Sequence, residues 1–474
     1  MIAIWARHAR LPEGTVPKVR IEIEGERITG ITSRCEPEPD DLRFGLVLPG
    51  LANGHSHAFH RALRGRVQDT TGNFWTWRDQ MYAVARRLTP ETYFALAHAV
   101  FTEMVTSGFT AVGEFHYLHH GLDGRPYSDP NAMGEAVIAA AQAAGIRLTL
   151  LDTLYLAGGL DGSGHVPLDP VQQRFADKDV AAWAGRLNQL RDSATSRIGA
   201  AAHSVRAVPK EALEQFASVV GARVVHAHVS EQPAENASCQ LIYNRTPTAL
   251  LEECGIVGDR FTAVHATHVS LADIRMLGRA RSFVCFCPTT ERDLADGIGP
   301  ARQFADAGAR LTLGSDQNAI IDPFVEARGL EMHERLVSGE RGRFSLDELG
   351  NAMSRTGYAS IGWPDGGVLT VGALADLVAV RRDSMRTVGS RADQIIFSAT
   401  GDDVTECIGG AAGLYGLRPN YITLDNDGNV FPARDGYSIT GKADKGEEGV
   451  KSFNCIFDKS RKLKDVMPLD SDGE

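Results

Sequence analysis

Histidine and acidic residues that could bind a metal ion recur along this chain. A His-Ser-His segment brings His55 and His57 together, and alternate side chains of an extended segment face the same side. His228 and Asp316 each follow a later apolar run. Three imidazoles and one carboxylate suit a catalytic divalent ion such as Zn, which binds imidazole nitrogen at about 2.0–2.1 Å and leaves room for water. A lone His-x-His is more often a surface or core pair, but the accompanying ligands favour a metal site.

Two further residues could move protons beside such an ion. Glu231 lies three residues beyond His228, where a carboxylate off the metal can shuttle protons for an activated water. The alternative for Glu231 is a carboxylate at a helix N-terminus that interacts with the helix dipole. His265 could polarise the water or a developing oxyanion. Two neighbouring histidines, His226 and His268, are interpreted as structural.

The elements that must position these residues are short apolar runs followed by helical segments. Strands alternating with helices indicate parallel βαβ units, and eight of them suggest a (β/α)₈ TIM-like barrel. Reactive groups in such a barrel belong at the C-terminal ends of the strands, where these histidines and acids fall. An open, doubly wound sheet is the structural alternative. The eight runs are 46–48, 110–113, 146–151, 198–202, 223–226, 261–264, 282–286 and 309–313.

The two ends of the chain differ from this central pattern. We predict that 1–48 and 363–415 are the two parts of a small split β-sandwich, with strands at 367–377 and 403–408, around a hydrolase barrel at 49–362. Residues 416–474 are predicted to be an atypical polar tail, either foreign in origin or disordered. Six of the nine lysines crowd the last 33 positions, which sets this end apart from the rest.

Composition limits the class of protein. The 474 residues are 43% hydrophobic with a net charge of −11, so the chain reads as globular, with no basic field for nucleic acid or a membrane surface. No apolar run approaches the about 20 residues needed to cross a bilayer, and the start lacks a signal-peptide pattern. Seven cysteines without a CxxC pair argue against a disulfide framework. We therefore expect a cytoplasmic protein.

At this point the motifs resemble the amidohydrolase superfamily and, within it, the formimidoylglutamate deiminases. Only three lysines precede residue 442, and none matches the carboxylated lysine of the binuclear members, so the resemblance is to the mononuclear branch. The match covers about residues 1–410. The HSH and HxxE motifs, within 53–65 (NGHSHAFHRALRG) and 226–233 (HAHVSEQP), are specific only to the superfamily. The family-specific motifs are FWTWR, HSVRAV and CPTTE, within 73–82 (NFWTWRDQMY), 203–208 (HSVRAV) and 287–298 (CPTTERDLADGI).

The resemblance implies an activity and a set of roles. The implied reaction is hydrolysis of N-formimino-L-glutamate to N-formyl-L-glutamate and ammonia, a step of histidine degradation, by a homodimer with one Zn or Fe per site. The implied metal ligands are His55, His57, His228 and Asp316, and the implied proton carriers are Glu231, His265 and Asp316. The implied substrate-binding residues are His60, Arg78, Tyr117, His203 and Arg206.

Some of these assignments also follow from side-chain chemistry. Arg78 and Arg206 can each make a bidentate, charge-assisted contact to one carboxylate of a dicarboxylate substrate. His60 stands where the resembling proteins commonly have Gln, and its ring could replace that amide. We therefore leave the fine substrate preference open.

Two other functions compete with this one. A related mononuclear deaminase could act on guanine or an adenosine derivative, although a flat ring favours a stacking pocket over two arginines. A non-catalytic barrel scaffold is the second alternative. The complete set of candidate metal ligands argues against it.

Overall fold

The chain opens with a small sheet. The computed structural model describes residues 2–67, 74–404, 422–424, 431–433, 436–444, 450–458 and 463–469. Alternate residues of the second strand, Val19, Ile21 and Ile23, are buried on one face, as the period of an extended strand requires. The first five strands are β1 (Ile2–Leu11), β2 (Gly14–Glu24), β3 (Arg27–Ser33), β4 (Leu42–Phe44) and β5 (Leu46–Pro49).

Eight parallel strands then form the barrel, which confirms the predicted fold. In space they run β15-β14-β13-β12-β11-β8-β7-β6. The first and last strands meet where His57 N donates to Asp316 O at 2.9 Å and Asp316 N donates to His55 O at 3.0 Å. Strands β9 and β10 form a separate hairpin. The ten strands are β6 (Leu51–Ser56), β7 (Phe109–His116), β8 (Arg147–Leu154), β9 (Gly159–Asp161), β10 (Gly164–Val166), β11 (Ser196–Ala202), β12 (Val225–Val229), β13 (Phe261–His265), β14 (Phe283–Phe286) and β15 (Arg310–Leu313).

Helices surround the barrel. Helix α2 (Pro90–Thr106) begins with a capping box, in which the Thr89 side chain accepts from Thr92 N, and Pro90 occupies the first turn. Among the described residues no helix is both long and apolar enough to cross a membrane. The helices are α1 (Phe74–Ala85), α2 (Pro90–Thr106), α3 (Ala132–Ala144), α4 (Val180–Leu187), α5 (Lys210–Val219), α6 (Pro233–Tyr243), α7 (Pro247–Glu253), α8 (Leu271–Arg279), α9 (Pro288–Asp293), α10 (Ala301–Asp306), α11 (Pro323–Ser338), α12 (Leu346–Met353) and α13 (Arg355–Ser360), with 3₁₀ turns at Ala58–Leu63, Gln172–Arg174, Ala392–Phe397 and Gly401–Asp403.

The prediction that residues 46–48 form the first barrel strand is wrong. They lie in β5, which pairs with β1 of the terminal sheet. The first barrel strand is β6, whose buried residues are largely polar: Asn53 Oδ1 accepts from Ser315 N at 2.9 Å inside the barrel. A strand that carries polar groups into a buried site lacks the apolar run from which strands are predicted.

Both ends of the chain contribute to the mixed sheet. Strand β16 (Leu377–Val380) pairs antiparallel with β5, and the order is β16-β5-β1-β2-β3, with β4 beside β1. Of the residues predicted as a strand at 367–377, only the last, Leu377, lies in β16. The strand predicted at 403–408 falls mostly outside the described residues, although Val404 makes an isolated bridge to Val380.

The described residues after 416 form an antiparallel sheet. Their strands pair in the order β17-β19-β20-β21, with β18 beside β19. Cys455 in this sheet is disulfide-bonded, contrary to the expectation from cysteine spacing. The origin of this segment stays a prediction. The strands are β17 (Ile422–Leu424), β18 (Phe431–Ala433), β19 (Gly436–Asp444), β20 (Val450–Asp458) and β21 (Leu463–Leu469).

A buried ion-pair triad anchors the long connection between β8 and α4. Arg186 donates to both oxygens of Asp152, at 2.5 and 2.9 Å, and to Asp177 at 2.8 Å. Burial alone would lower the pKa of Arg186, but the two carboxylates outweigh burial and raise it. The triad therefore fixes both ends of the segment 155–179, which covers the barrel mouth.

Removing the cation of this triad should strongly destabilise the protein. Arg186→Ala leaves two buried carboxylates without a counter-ion, so we expect the free energy of unfolding to fall by about 3–5 kcal/mol in urea denaturation. Arg391 provides a matched control, because it also pairs with one carboxylate through two nitrogens but is 73% exposed. Arg391→Ala should change the unfolding free energy little. Equal losses in the two variants would contradict the assignment.

Candidate active site

Four candidate metal ligands converge where the barrel closes. The Nε2 atoms of His55 and His57 each lie 3.3 Å from His228 Nε2. Asp316 Oδ1 lies 3.3 Å from His55 Nε2 and 3.4 Å from His57 Nε2. Donors bound at about 2.0–2.1 Å to a tetrahedral ion lie about 3.3 Å from one another. The four donor atoms therefore have the spacing of a single metal site.

The protonation of these imidazoles also fits a metal. The Nδ1 atoms of His57 and His228 lie 2.9 Å from the carbonyl oxygens of Phe115 and His203, which only accept hydrogen bonds. Each Nδ1 must therefore carry the proton, which leaves a lone pair on Nε2. Two lone pairs that face each other at 3.3 Å cannot hydrogen-bond, so a shared cation is the partner that satisfies both.

Burial favours the ligating forms of these side chains. It lowers the pKa of His55 to about 3, although the hydrogen bond with Asp316 opposes this shift. Burial would by itself raise the pKa of Asp316, but the bond to His55 and the neighbouring imidazoles lower it below its usual value. A neutral imidazole and an ionised carboxylate are the forms that bind metal.

Unusual backbone conformations aim several of these side chains. Ser230, His265 and Asp316 have φ values of 50°, 66° and 46°, in the left-handed region that non-glycine residues seldom adopt. Such conformations cost about 1–3 kcal/mol each and cluster at functional sites. They turn the chain sharply beyond the strands, just where polar side chains enter the barrel mouth.

Glu231 and His265 lie beside the metal ligands. His265 Nε2 is 3.8 Å from Glu231 Oε1 and 3.9 Å from Asp316 Oδ2, while its Nδ1 faces Glu291 Oε1 at 3.5 Å. Burial would lower the pKa of His265, but the Glu291 carboxylate beside its Nδ1 and the other nearby carboxylates raise it to about 10. The imidazole thus lies between acids on both sides, an arrangement suited to proton transfer.

Arg206 holds Glu231 from the other side. Its Nη2 donates to Glu231 Oε2 at 2.8 Å, and its Nε lies 3.5 Å from Glu235 Oε2. Glu235 in turn accepts from the backbone N–H groups of Ser230 and Glu231. Arg206, predicted as a substrate-binding residue, therefore also positions the predicted proton carrier.

The predicted substrate-binding residues line one cavity of about 290 Å³ above the metal ligands. Trp77 fixes the helix that carries Arg78, because its Nε1 donates to Gln317 Oε1 at 3.1 Å. His203 separates the ring of Tyr155 from the ligand His228, with ring centroids 4.7 and 5.0 Å away. The cavity residues that were predicted from the sequence are His57, His60, Arg78, Tyr117, His203, Arg206, His228, Glu231 and Asp316.

His60 and Tyr117 form one wall of this cavity. His60 Nε2 lies 2.7 Å from the Tyr117 hydroxyl, and the His60 ring is tilted by 33° against that of His57, with the ring centroids 4.4 Å apart. Burial and neighbouring imidazoles hold the pKa of His60 well below its usual value, so the ring is neutral. A neutral imidazole can hydrogen-bond to substrate without adding charge.

Sequence reasoning assigned no role to some buried acids of the site. Glu114 accepts from Ser56 Oγ at 2.7 Å and from Ala58 N at 2.6 Å, which fixes the His55–His57 segment. Its position after a predicted strand was the available signal. Glu291 was visible only as part of the 287–298 stretch, and its contact with His265 appears only in the fold.

A second group of histidines lies outside the site. His116, His119 and Asp152 are close enough to hold an ion. Both Asp152 oxygens, however, already accept hydrogen bonds from Arg186. This cluster is therefore explained by the buried triad.

Comparison with known proteins agrees with the fold. The amidohydrolase family model matches residues 46–428. The chain is 37% identical to formimidoylglutamate deiminase of Pseudomonas aeruginosa over 84% of this chain and 90% of that protein. It is 30% identical to 8-oxoguanine deaminase of the same organism over 75% and 78%. The crystal structure of an amidohydrolase from Brucella melitensis superposes with a TM-score of 0.79 at 34% identity, covering 84% and 90%.

The barrel and its histidine–aspartate cluster therefore define a hydrolase, and the chain belongs to the amidohydrolase family. The similarity to formimidoylglutamate deiminase predicted from the motifs is confirmed. Other deaminases of the family are also similar to this chain, at lower identity.

Metal content tests the ligand set directly. Substituting a residue that only hydrogen-bonds to a metal ligand typically weakens metal binding by about 10- to 100-fold. His228→Asn removes a donor atom itself, so we expect it to weaken metal binding by more than this. His226→Asn is the matched control, since His226 lies on the same strand but bonds Ser360 O at 3.0 Å on the far side. Elemental analysis of the folded fraction should find metal lost only from His228→Asn. Metal retained by both variants would contradict the site.

Proposed function

We propose that this protein hydrolyses N-formimino-L-glutamate to N-formyl-L-glutamate and ammonia, using one divalent metal ion, with zinc favoured by the donor set. The observation that carries the proposal is a single cavity with the metal ligands at its base and two arginines, Arg78 and Arg206, in its wall. The similarity to a named formimidoylglutamate deiminase supports the same choice.

The two arginines favour a dicarboxylate over a purine. A guanidinium makes strong paired hydrogen bonds to a carboxylate, whereas a neutral flat base gains little from cations in the cavity wall. The similarity to 8-oxoguanine deaminase keeps a purine substrate as the second candidate. Aromatic rings also line the cavity, including Tyr117 and Phe175, and these could stack on a base.

His55, His57, His228 and Asp316 would hold the ion. When bound, such an ion polarises water and lowers its pKa toward about 7. The fit rests on the equal donor spacing and on the Nε2 lone pairs described above.

The chain's own residues supply the proton transfers. Asp316 Oδ2 and His265 Nε2 lie 3.9 Å apart, so Asp316 would take a proton from a water between them while the protonated His265 polarises that water. His265 Nε2 lies 3.8 Å from Glu231 Oε1 and can pass its proton to that carboxylate, which is assigned to protonate the nitrogen that leaves as ammonia. Asp316 then returns a proton to His265. Arg206 keeps Glu231 turned toward the cavity through its 2.8 Å bond.

An ammonia-release assay separates the two candidate functions. Purified metal-loaded protein should release ammonia from N-formimino-L-glutamate, and not from guanine, 8-oxoguanine or 5′-deoxyadenosine. Glu231→Gln should lower kcat by about 10²- to 10⁴-fold without loss of metal, because a proton shuttle is removed and no ligand changes. Glu214→Gln, at an exposed position of α5, is the control. Equal rates for the wild type and Glu231→Gln would refute the mechanism, and activity only on a purine would refute the substrate.

Arg78 should affect substrate binding more than the chemical step. Arg78→Met removes a charge-assisted contact, so we expect kcat/KM for the dicarboxylate to fall by about 10- to 100-fold, mostly through KM. Arg86→Met, at an exposed position just after the same helix, should behave like the wild type. A change in kcat alone would instead place Arg78 near the reacting carbon.

A further inference from the structure

A buried glutamine points its amide group at two tyrosine hydroxyls in the cavity wall. Gln172 Nε2 lies 2.9 Å from the hydroxyl oxygens of Tyr82 and Tyr155 and 2.9 Å from Gly158 O, so its two N–H groups serve three acceptors and two of these acceptors share one N–H. Gln172 Oε1 accepts from Asp169 N at 2.9 Å. A backbone N–H can only donate, so this contact fixes which end of the amide is oxygen and which is nitrogen.

The direction of these hydrogen bonds determines what the hydroxyls can do. An amide nitrogen does not accept hydrogen bonds, so neither tyrosine can give its proton to Gln172. A contact between the two hydroxyls could use only one of their two protons. At least one proton remains for an acceptor in the cavity, because both tyrosines line it.

The charges around the hydroxyls favour an anion as that acceptor. Burial raises the pKa of both tyrosines, so they stay neutral donors. The positive charge of Arg78 by itself lowers both pKa values, and that of Arg206 lowers the pKa of Tyr155. The Arg78 guanidinium lies over the Tyr82 ring, 5.4 Å from its centroid. Arg78 therefore supplies positive charge beside the hydroxyl pair, opposed at Tyr82 by Asp169, whereas Arg206 is itself paired with Glu231 and Glu235.

The support for this group is rigid. Gln172 is only 3% exposed, and the adjacent Arg174 donates to the carbonyl oxygens of Leu88, His120 and Gly121. The 3₁₀ turn that carries both residues is thereby tied to the end of α1 and to the loop after β7. Such support is what a binding group with fixed hydrogen-bond direction requires.

We propose that Tyr82 and Tyr155, oriented by Gln172, form an anion subsite that binds one carboxylate of the substrate together with Arg78. This inference rests on the proposed function, which supplies a substrate with two carboxylates. Gln172 is a positioning residue, because it acts through the tyrosines.

The test uses the metal-loaded full-length enzyme and substrates with one carboxylate removed. N-formimino-4-aminobutyrate and N-formimino-2-aminobutyrate each lack a different carboxylate of N-formimino-L-glutamate. In the double variant Tyr82→Phe/Tyr155→Phe we expect kcat/KM to fall by about 10- to 100-fold for the dicarboxylate and for only one of the two analogues. The other analogue has no carboxylate at the subsite, so its kcat/KM should not change.

Two further variants separate positioning from folding. Gln172→Met should raise KM for the dicarboxylate with little change in kcat, because the hydroxyls remain but lose their orientation. Tyr243→Phe is the control, since its hydroxyl bonds His165 Nε2 at 2.7 Å outside the cavity lining. An equal loss on both analogues, or no loss on the dicarboxylate, would overturn the subsite.

Binding of an unreactive dicarboxylate keeps this test apart from the test of the proposed function. Glutarate titrated into metal-loaded protein by calorimetry should bind about 10- to 100-fold more weakly to the double variant than to the wild type. If the wild type does not hydrolyse N-formimino-L-glutamate but this difference is found, the subsite stands and the proposed substrate fails. If hydrolysis is observed and glutarate affinity is unchanged by the substitutions, the subsite fails and the proposed function stands.

Discussion

The barrel closes around four candidate ligand atoms that face one another, and the rest of the site depends on this arrangement. The imidazoles of His55, His57 and His228 and the carboxylate of Asp316 meet at 3.3–3.4 Å in a buried place. Without a cation, neighbouring lone pairs would repel one another in a medium that screens them poorly. The backbone hydrogen bonds between β6 and the segment after β15 set this geometry. The fold therefore places the donor atoms close enough to repel one another and close enough to share one cation.

Charged side chains around the four candidate ligands hold the residues that are assigned to proton transfer. Glu291 faces His265 from behind, Glu235 and Arg206 hold Glu231, and Glu114 fixes the segment between the first two histidines. Each of these groups is buried and has charged or backbone partners. The acids and cations are therefore paired across the site, which limits the cost of burying so many ionisable groups.

The barrel and most residues of the candidate site could be predicted from the sequence, because the reactive residues follow strands at intervals that a parallel barrel brings together. The terminal sheet was also visible, since β2 alternates apolar and polar residues. The first barrel strand was missed because Asn53, His55 and Ser56 fill a buried strand with polar groups. Residues 416–474 were predicted to be an atypical polar tail, either foreign in origin or disordered. The described residues of this segment pair as strands, and strands whose apolar and polar residues alternate only weakly are not evident from local sequence.

The contacts that tune the site could not be predicted, because they join residues far apart in the chain. Gln172 reaches Tyr82 across 90 positions and Tyr155 across 17, and no local pattern marks a glutamine as an orienting group. Likewise Arg206 could be assigned to substrate by its type, but its bond to Glu231 depends on how two strand ends approach each other. Long-range hydrogen-bond direction is a property of the folded barrel.

Anomalous diffraction at the zinc absorption edge from crystals of zinc-loaded protein tests most directly whether these four side chains bind one metal ion. We expect one strong peak, about 2.0–2.1 Å from the Nε2 atoms of His55, His57 and His228 and beside Asp316 Oδ1. No peak there, two peaks bridged by a shared ligand, or a peak only at the His116–Asp152 cluster would contradict it.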